Sequence, residues 1–207
     1  MNNISLRTEV YLLLSEAFKQ PTAEFAAEQS DIVCFFNESF AKLKYDISPG
    51  LYKNLPALSG DIAALTAAYY QSFVFPVISR VVPVESIYRR WTSDTSAGLP
   101  FATEKGLLMS DYALHMNTLY NAFGITIPHE YQSMPDHLCL QLEFAAFLLA
   151  NEPDDRFRGF ISEHLNWIED LLADAHKQQI PLYYRQLIEI TAQFLAEELR
   201  RWASLKF

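Results

Sequence analysis

The hydrophobic residues of this chain recur mostly at spacings of three and four positions, which is the period of an amphipathic α-helix. The first predicted helix ends before Pro21, and the second carries its apolar positions through residues 25–43. Ser59 or Asp61 can cap a third helix. This helix must end near Pro76, because proline lacks an amide donor and clashes with the preceding turn. The N-terminal part of the chain is therefore predicted to be helical.

The helical pattern resumes after a long interruption. Thr103 is the predicted N-cap of the next helix, and Gly124 is its predicted stop. Residues 133–136 (SMPD) fit a capping box at the start of a further helix. Residues 138–150 are apolar on almost every side, which is typical of a helix in the middle of a bundle.

Two more amphipathic patterns, over residues 157–177 and 182–202, complete the chain. No alternating strand pattern and no internal repeat stands out. We therefore predict an all-α protein, a single helical bundle of about seven or more helices that spans residues 1–207. Its N-terminal helices lie within residues 4–75 and its C-terminal helices within residues 103–205.

Residues 76–102 form the predicted central loop or hinge. This stretch contains three prolines and shows no clear period, yet it is rich in Val, Ile, Tyr and Trp. Loops of this length are uncommon in compact domains and are usually functional or disordered. The loop is too apolar to be disordered. A hinge here permits domain swapping, so both a monomer and a domain-swapped homodimer remain open.

Composition narrows the classes of function. Half of the 207 residues are hydrophobic and the formal net charge is −9, which argues against a disordered chain and against a nucleic-acid binder. Two cysteines are too few for a disulfide scaffold, and Cys139 lies in an apolar run that predicts burial. No signal peptide and no apolar stretch long enough to span a membrane is evident. We therefore expect a cytoplasmic protein without stable membrane insertion.

A metal-dependent enzyme is the obvious alternative from the chemistry-bearing residues. The side chains that could supply ligands are His115, His129, Glu130, Asp136, His137 and Glu143. No H-x-x-x-H or H-E-x-x-H spacing occurs, and no nucleophile elbow, P-loop or dinucleotide fingerprint is present. We therefore predict no catalytic residues, no metal and no cofactor, and keep a helical metal-dependent hydrolase as the rival from the enzyme class.

The residues alone leave the roles of two segments open. Asp136 fits a capping box and a functional role, while His137 fits a boundary residue and a ligand contact equally well. In the loop, Glu85 and Tyr88 are compatible with a packed connector. They are also compatible with an apolar groove beside a carboxylate, suited to a peptide with hydrophobic and cationic parts.

Three parts of the chain carry a family resemblance. They are residues 7–18 (RTEVYLLLSEAF), residues 69–76 (YYQSFVFP) followed by residues 83–88 (PVESIY), and residues 135–138 (PDHL) with LEF downstream. In order and spacing they resemble the first helix, the Y-x-x-L-F…P…P-x-E-S-x-Y motif and the D-H-L segment of the TorD/DmsD-type redox-enzyme maturation proteins. These are cytoplasmic chaperones of molybdopterin oxidoreductases.

The resemblance implies a non-enzymatic chaperone that binds the twin-arginine signal peptide of a molybdopterin oxidoreductase precursor. It would hold this client until the cofactor is inserted and then release it for export. An alternative is an assembly chaperone for a non-exported oxidoreductase, whose client lacks such a leader. In either case the partner is an apoenzyme, and the chaperone carries no cofactor of its own.

The resemblance also implies a peptide site where the loop meets the helix that follows Asp136. The predicted peptide-binding residues are Val77, Pro83, Val84, Glu85, Ser86, Ile87, Tyr88, Pro135, Asp136 and His137. Carboxylates such as Asp136 and Glu85 can accept charge-assisted hydrogen bonds from arginine. The apolar loop residues, among them Val77, can bury the apolar part of the leader.

Overall fold

The computed structural model describes residues 3–53, 55, 60–74, 81–94, 96 and 98–203, with side chains through residue 201. Within these residues the secondary structure is helical, with no strand and one isolated β-bridge, which confirms the predicted all-α class. In chain order the helices are α1 Asn3–Ala17, α2 Ala23–Ala27, α3 Gln29–Leu43, α4 Pro49–Tyr52, α5 Ile62–Phe73, α6 Glu85–Tyr88, α7 Asp111–Ala122, α8 Leu138–Asn151, α9 Asp154–His164, α10 Ile168–Gln178 and α11 Leu182–Ala203.

Helix α8 lies in the middle of the bundle, as its apolar sequence predicted. Residues on nearly all of its sides are buried, and α1 packs along it. Ser15 on α1 donates a hydrogen bond from Oγ to the Cys139 carbonyl over 2.8 Å. Cys139 is fully buried, as expected. Buried side chains from both halves of the chain join α8 in a common hydrophobic cluster.

A buried ion pair joins the first and last helices. Arg7 on α1 and Glu198 on α11 approach to 2.6 Å, with side chains 3% and 0% exposed. Tyr11 and Tyr45 also donate hydrogen bonds to the Glu198 carboxylate. Removing one partner of such a pair leaves a buried charge, at a cost of about 3–5 kcal/mol. The pair therefore ties α1 to α11.

Two predicted helix boundaries are confirmed. Asp61 is the N-cap of α5, since its Oδ1 accepts from the Ala64 amide over 2.9 Å, and the helix ends at Phe73. Helix α11 occupies the predicted range. No helix among the described residues combines the length and the apolar content that a bilayer crossing requires.

Two predicted long helices are each divided in the structure. The apolar pattern over residues 25–43 is split at Glu28 into α2 and α3. The pattern over residues 157–177 is split between α9 and α10, where the Trp167 indole N–H donates to the His164 carbonyl over 2.9 Å. A buried indole needs an acceptor, and the free carbonyls at a helix end supply one. Because the apolar period continues across both breaks, the sequence pattern did not indicate them.

The predicted N-cap at Thr103 is wrong, because α7 begins at Asp111 and Ser110 caps it. Residues before α7 pair with the loop instead. The Trp91 amide donates to the Glu104 carbonyl over 2.9 Å, and the Thr92 amide donates to the Ala102 carbonyl over 3.0 Å. The bond from Trp91 occupies the Glu104 carbonyl, which a helix capped by Thr103 would need for its own first turn.

Candidate functional site

The two segments singled out in the sequence lie side by side in the structure. The Leu138 amide donates to the Pro83 carbonyl over 2.8 Å, and the Glu85 amide donates to the Asp136 carbonyl over 3.1 Å. Between them, Val84 and His137 form an antiparallel β-bridge. The loop is thus fixed to the start of α8 through its backbone.

This pairing changes where α8 begins, and the predicted capping box at Ser133 is wrong. His137 is the N-cap, and its ring Nδ1 accepts a hydrogen bond from the Cys139 amide over 3.2 Å. Asp136 cannot lie in the first turn of α8 because its backbone carbonyl is engaged with the loop. A long-range contact, invisible to a local pattern, sets this helix start.

Asp136 is fully buried and binds the loop rather than solvent. Its Oδ2 accepts hydrogen bonds from the Ser86 amide over 2.7 Å and from the Ser86 hydroxyl. Ser86 Oγ in turn contacts Ser110 Oγ at 2.7 Å, which reaches α7. Burial raises the pKa of Asp136, and the bonds from Ser86 oppose that rise. In this structure the carboxylate is therefore not presented to an incoming arginine.

Glu85 is also fully buried, although a solvated or groove-facing side chain was expected. Its Oε2 accepts from Gln141 Nε2 over 2.7 Å and lies 3.0 Å from His164 Nδ1. Burial raises the pKa of Glu85, while the contacts with His164 and Gln141 lower it. Trp167 completes the network by donating from its indole to Gln141 Oε1 over 3.0 Å. We call this group the buried junction, and its members are Glu85, Ser86, Asp136, Gln141, His164 and Trp167.

The remaining predicted site residues fall into four groups. Val84, directly before α6, is buried, as are Ser86 and Tyr88 within α6, and Ile87 is half-buried against the core. Pro135 is buried, and its carbonyl accepts from the Tyr120 hydroxyl over 3.1 Å. Val77 lies outside the described residues. Pro83 and His137 line a cavity.

That cavity, which we call the apolar cleft, has a volume of about 980 Å³. It is bounded by the end of α1, by α5, by α7, by the connector before α8 and by α8 itself. Ligand pockets in proteins typically measure about 300–1,000 Å³ and are mostly apolar. The lining residues are Glu16, Lys19, Gln20, Thr22, Tyr69, Phe73, Val74, Val82, Pro83, Tyr120, Ile125, Thr126, Ile127, Pro128, Glu130, Tyr131, Met134, His137, Leu140, Glu143, Phe144 and Phe147.

Aromatic side chains form much of the cleft wall. Phe144 and Phe147, one turn apart on α8, stack with ring centroids 6.0 Å apart, and Tyr120 of α7 meets Phe144 edge-on at 5.3 Å. Ile125 and Ile127 in the connector also line the cleft. None of the connector residues was among the predicted site residues. The connector's alternation of Ile and polar residues is a usable signal, because residues two apart in extended chain share one side.

Charged residues edge the cleft. Glu16, Glu130 and Glu143 supply three carboxylates, and Lys19 supplies one ammonium group, so the edge carries a formal charge of −2. Lys19 Nζ lies 3.1 Å from Glu16 and 3.7 Å from Glu143. Both of these pairs are partly exposed and contribute little to stability. The edge can therefore attract cations.

His137, like Pro83, is a predicted site residue that lines the cleft. Burial lowers its pKa to about 3, so the ring is neutral at physiological pH. Since Nδ1 accepts from the Cys139 amide, the neutral ring carries its proton on Nε2. Burial also raises the pKa of the Cys139 thiol to about 12, so that group stays protonated. Neither side chain has the electrostatics of a nucleophile or an acid catalyst.

The predicted set of metal-ligating residues is not assembled. Among the described residues, His115 has ligand atoms within 4.8 Å of those of Glu163 and His164. The other members of the predicted set, His129, Glu130, Asp136, His137 and Glu143, do not belong to that group. The structure therefore gives no support to the hydrolase site as it was drawn from the sequence.

Comparison with known proteins supports the same family as the motifs in the sequence. The family model described as nitrate reductase delta subunit matches residues 51–173. A chaperone protein TorD from Vibrio cholerae serotype O1 is 34% identical over 91 residues, which cover 37% of this chain and 41% of that relative. The match thus spans about two fifths of the relative's length. Because the family model covers more than half of the chain, this protein belongs to the nitrate reductase delta subunit family of TorD-type redox-enzyme maturation proteins.

Proposed function

We propose that this protein is a non-enzymatic cytoplasmic chaperone for the precursor of a molybdopterin oxidoreductase. It binds the twin-arginine signal peptide of the apoenzyme and holds the client while the cofactor is inserted, before export. Family membership supports the general role, since a TorD chaperone is among the relatives. The apolar cleft is the observation that carries the peptide-binding step.

The chemistry of a twin-arginine leader complements the apolar cleft. Such a leader presents two guanidinium groups beside an apolar stretch. The cleft offers aromatic and aliphatic walls, and its edge carries a formal charge of −2, equal and opposite to the arginine pair. Arginine forms its strongest hydrogen bonds with carboxylates. The whole chain, at −9, also attracts a basic peptide over longer distances.

The proposed site therefore moves a short distance from the one predicted. Pro83 and His137 remain in it, because both line the cleft. Glu85 and Asp136 act instead through position, since they fix the loop that carries Pro83 to the start of α8. The carboxylates that meet the arginine pair are Glu16, Glu130 and Glu143, which lie at the edge of the cleft.

The direct test is a titration of the purified protein with labelled leader peptides from the molybdopterin oxidoreductases of its own genome. We expect one leader to bind saturably, and an unlabelled copy of that leader to displace it. Fluorescence anisotropy gives the dissociation constant. In a deletion strain, the matching oxidoreductase should accumulate without its cofactor. Absence of binding to every leader, together with normal enzyme maturation in the deletion strain, would refute the proposal.

Matched peptides separate the two client classes. A leader whose arginine pair is replaced by glutamine keeps its apolar stretch and loses its charge. Weaker binding of that peptide supports a twin-arginine client, because the cleft edge then loses its partners. Equal binding of both peptides indicates that apolar burial alone drives recognition, which favours a client without an exported leader.

A further inference from the structure

We propose that His115, Glu163 and His164 form a binding site for a divalent transition-metal ion such as Zn²⁺, where α7 meets the end of α9. This inference goes beyond the proposed function, since the site lies outside the apolar cleft and belongs to different side chains. It also reverses the expectation from the sequence that no metal site exists. Imidazole and carboxylate groups are ligands that Zn²⁺ uses in proteins.

The distances between the ligand atoms fit a single ion. His164 Nε2 lies 2.9 Å from His115 Nδ1, and His115 Nδ1 lies 3.6 Å from Glu163 Oε1. An ion bound to nitrogen at about 2.0–2.1 Å in tetrahedral geometry holds its ligand atoms about 3.4 Å apart. Binding therefore requires the two histidines to separate by about half an ångström, which the exposed His115 side chain can supply by rotation.

The hydrogen bonding behind His164 orients that ring as a ligand. Glu85 Oε2 lies 3.0 Å from His164 Nδ1, and both side chains are almost fully buried, at 0% and 1% exposure. In the tautomer that donates its Nδ1 proton to this carboxylate, the lone pair on Nε2 is directed towards His115. Metal-binding histidines commonly donate their other ring nitrogen to a carboxylate in this way. Phe160 stacks on the ring with centroids 5.3 Å apart and restricts its rotation.

The exposure of the remaining ligands makes the site accessible. The side chains of His115 and Glu163 are 43% and 58% exposed, so an ion can enter from solvent and retain water in its fourth position. A bound ion would link α7 to α9. Because His164 and Glu85 are both members of the buried junction, the ion would also be coupled to the contacts that anchor the loop next to Pro83.

The test is calorimetric titration of Zn²⁺ into tag-free, metal-stripped full-length protein. We expect one equivalent to bind, and we expect the unfolding temperature to rise with Zn²⁺ concentration. His115→Ala removes an exposed ligand without opening the core, and should weaken binding at least about tenfold. His176→Ala, which removes an exposed histidine from α10, is the matched control and should leave the affinity unchanged.

Glu85→Gln tests the carboxylate behind the ligand. We expect a tenfold to hundredfold loss of Zn²⁺ affinity, roughly the range that such partners contribute. No saturable binding at Zn²⁺ concentrations up to about 0.1 mM would overturn the site, and so would full affinity in His115→Ala. Leader binding should not change in His115→Ala, so failure of the metal site and failure of the proposed chaperone function remain distinguishable.

Discussion

The buried junction and the apolar cleft lie next to each other, yet they use opposite chemistry. The junction is polar, fully enclosed and internally hydrogen-bonded, with Glu85 and Asp136 at 0% exposure. The cleft is apolar and open to solvent at an edge of charged side chains such as Glu130. His137 belongs to the boundary, because it lines the cleft and also caps α8. One region holds the fold together, and the other is available to a partner.

The difference teaches that two of the motif segments serve the fold more than the contact surface. Residues 83–88 and 135–138, which carry part of the family resemblance, mostly build the junction. Much of the cleft wall, such as Ile125, Ile127 and Phe147, lies outside the motifs, although Tyr69, Phe73 and Val74 belong to the motif at residues 69–76 and Phe144 belongs to the LEF segment. Such a division lets one scaffold present differently shaped clefts, since a change in the wall leaves the buried hydrogen bonds intact.

The largest expected effect is on stability, from a change in the junction. Asp136→Ala leaves the Ser86 amide and hydroxyl without their buried acceptor. Each unsatisfied group costs about 1–3 kcal/mol, so we expect the free energy of unfolding to fall by about 3 kcal/mol. Urea denaturation followed by circular dichroism measures this change. A shift of the midpoint too small to measure, with loss of leader binding, would return Asp136 to a direct role in contact.

The second prediction concerns the pH dependence of the free energy of unfolding, and it tests His137 at the boundary between the two regions. The pKa of His137 is about 3 in the folded protein, below its usual value of 6.5, so the unfolded chain binds more protons between these values. Stability from this group is complete above pH 6.5 and is lost as pH falls towards 3. The slope for one group is about 1.4 kcal/mol per pH unit.

His137→Asn isolates that contribution, because asparagine can cap α8 but does not titrate. We expect the difference in unfolding free energy between the wild type and the variant to change by about 1.4 kcal/mol per unit between pH 6 and pH 4. The raised pKa values of Glu85 and Asp136 act in the opposite direction, but they are common to both proteins and cancel in the difference. If the unfolding free energies of the wild type and the variant changed with pH in the same way, that result would contradict a buried, neutral His137.

The two regions also differ in how far the sequence predicted them. The helical period and the all-round apolar pattern of residues 138–150 were enough to predict an all-α bundle with α8 at its centre. The proximity of residues 83–88 to Asp136 followed from the family resemblance. The direction in which the Glu85 and Asp136 carboxylates point could not be predicted, because a local pattern cannot distinguish a buried acid paired across the fold from a solvated one.

The cleft was missed for a related reason. Its walls come from helices distant in sequence, such as Phe73 on α5 and Phe147 on α8, and each of these residues reads locally as core. Only the packing of α5, α7 and α8 leaves the space between them unfilled. The break between α9 and α10 likewise coincides with a tertiary hydrogen bond that the local pattern does not show, from the Trp167 indole to Gln141.

The third prediction separates the cleft from the rest of the surface. Ile127→Ser removes a half-buried aliphatic side chain from the cleft wall, and should weaken leader binding about tenfold, or 1.4 kcal/mol. The unfolding free energy should change by less than about 1 kcal/mol. The matched control is Leu114→Ser, which replaces a 50% exposed aliphatic side chain on α7 outside the cleft. Equal losses of affinity in both variants would exclude the cleft as the binding site.

The smallest expected effect is electrostatic, and it tests whether the carboxylates at the cleft edge contact the leader. Glu130→Gln removes one exposed carboxylate and keeps the side chain nearly the same size. We expect binding of the twin-arginine leader to weaken by about 1.4-fold to fivefold at low salt, since exposed pairs contribute about 0.2–1 kcal/mol. The loss should fade as salt screens the charges. The same change at the exposed Glu169 on α10, away from the cleft, should have no effect.

A double-mutant cycle then shows which charges meet. With the leader whose arginine pair is replaced by glutamine, the effect of Glu130→Gln should disappear, because the carboxylate has lost its partner. If instead the variant weakens both leaders equally, Glu130 acts through the shape of the connector rather than through charge. The cycle thereby tests whether a carboxylate at the exposed cleft edge meets a partner, in contrast to the enclosed carboxylates of the buried junction, which accept hydrogen bonds within the fold.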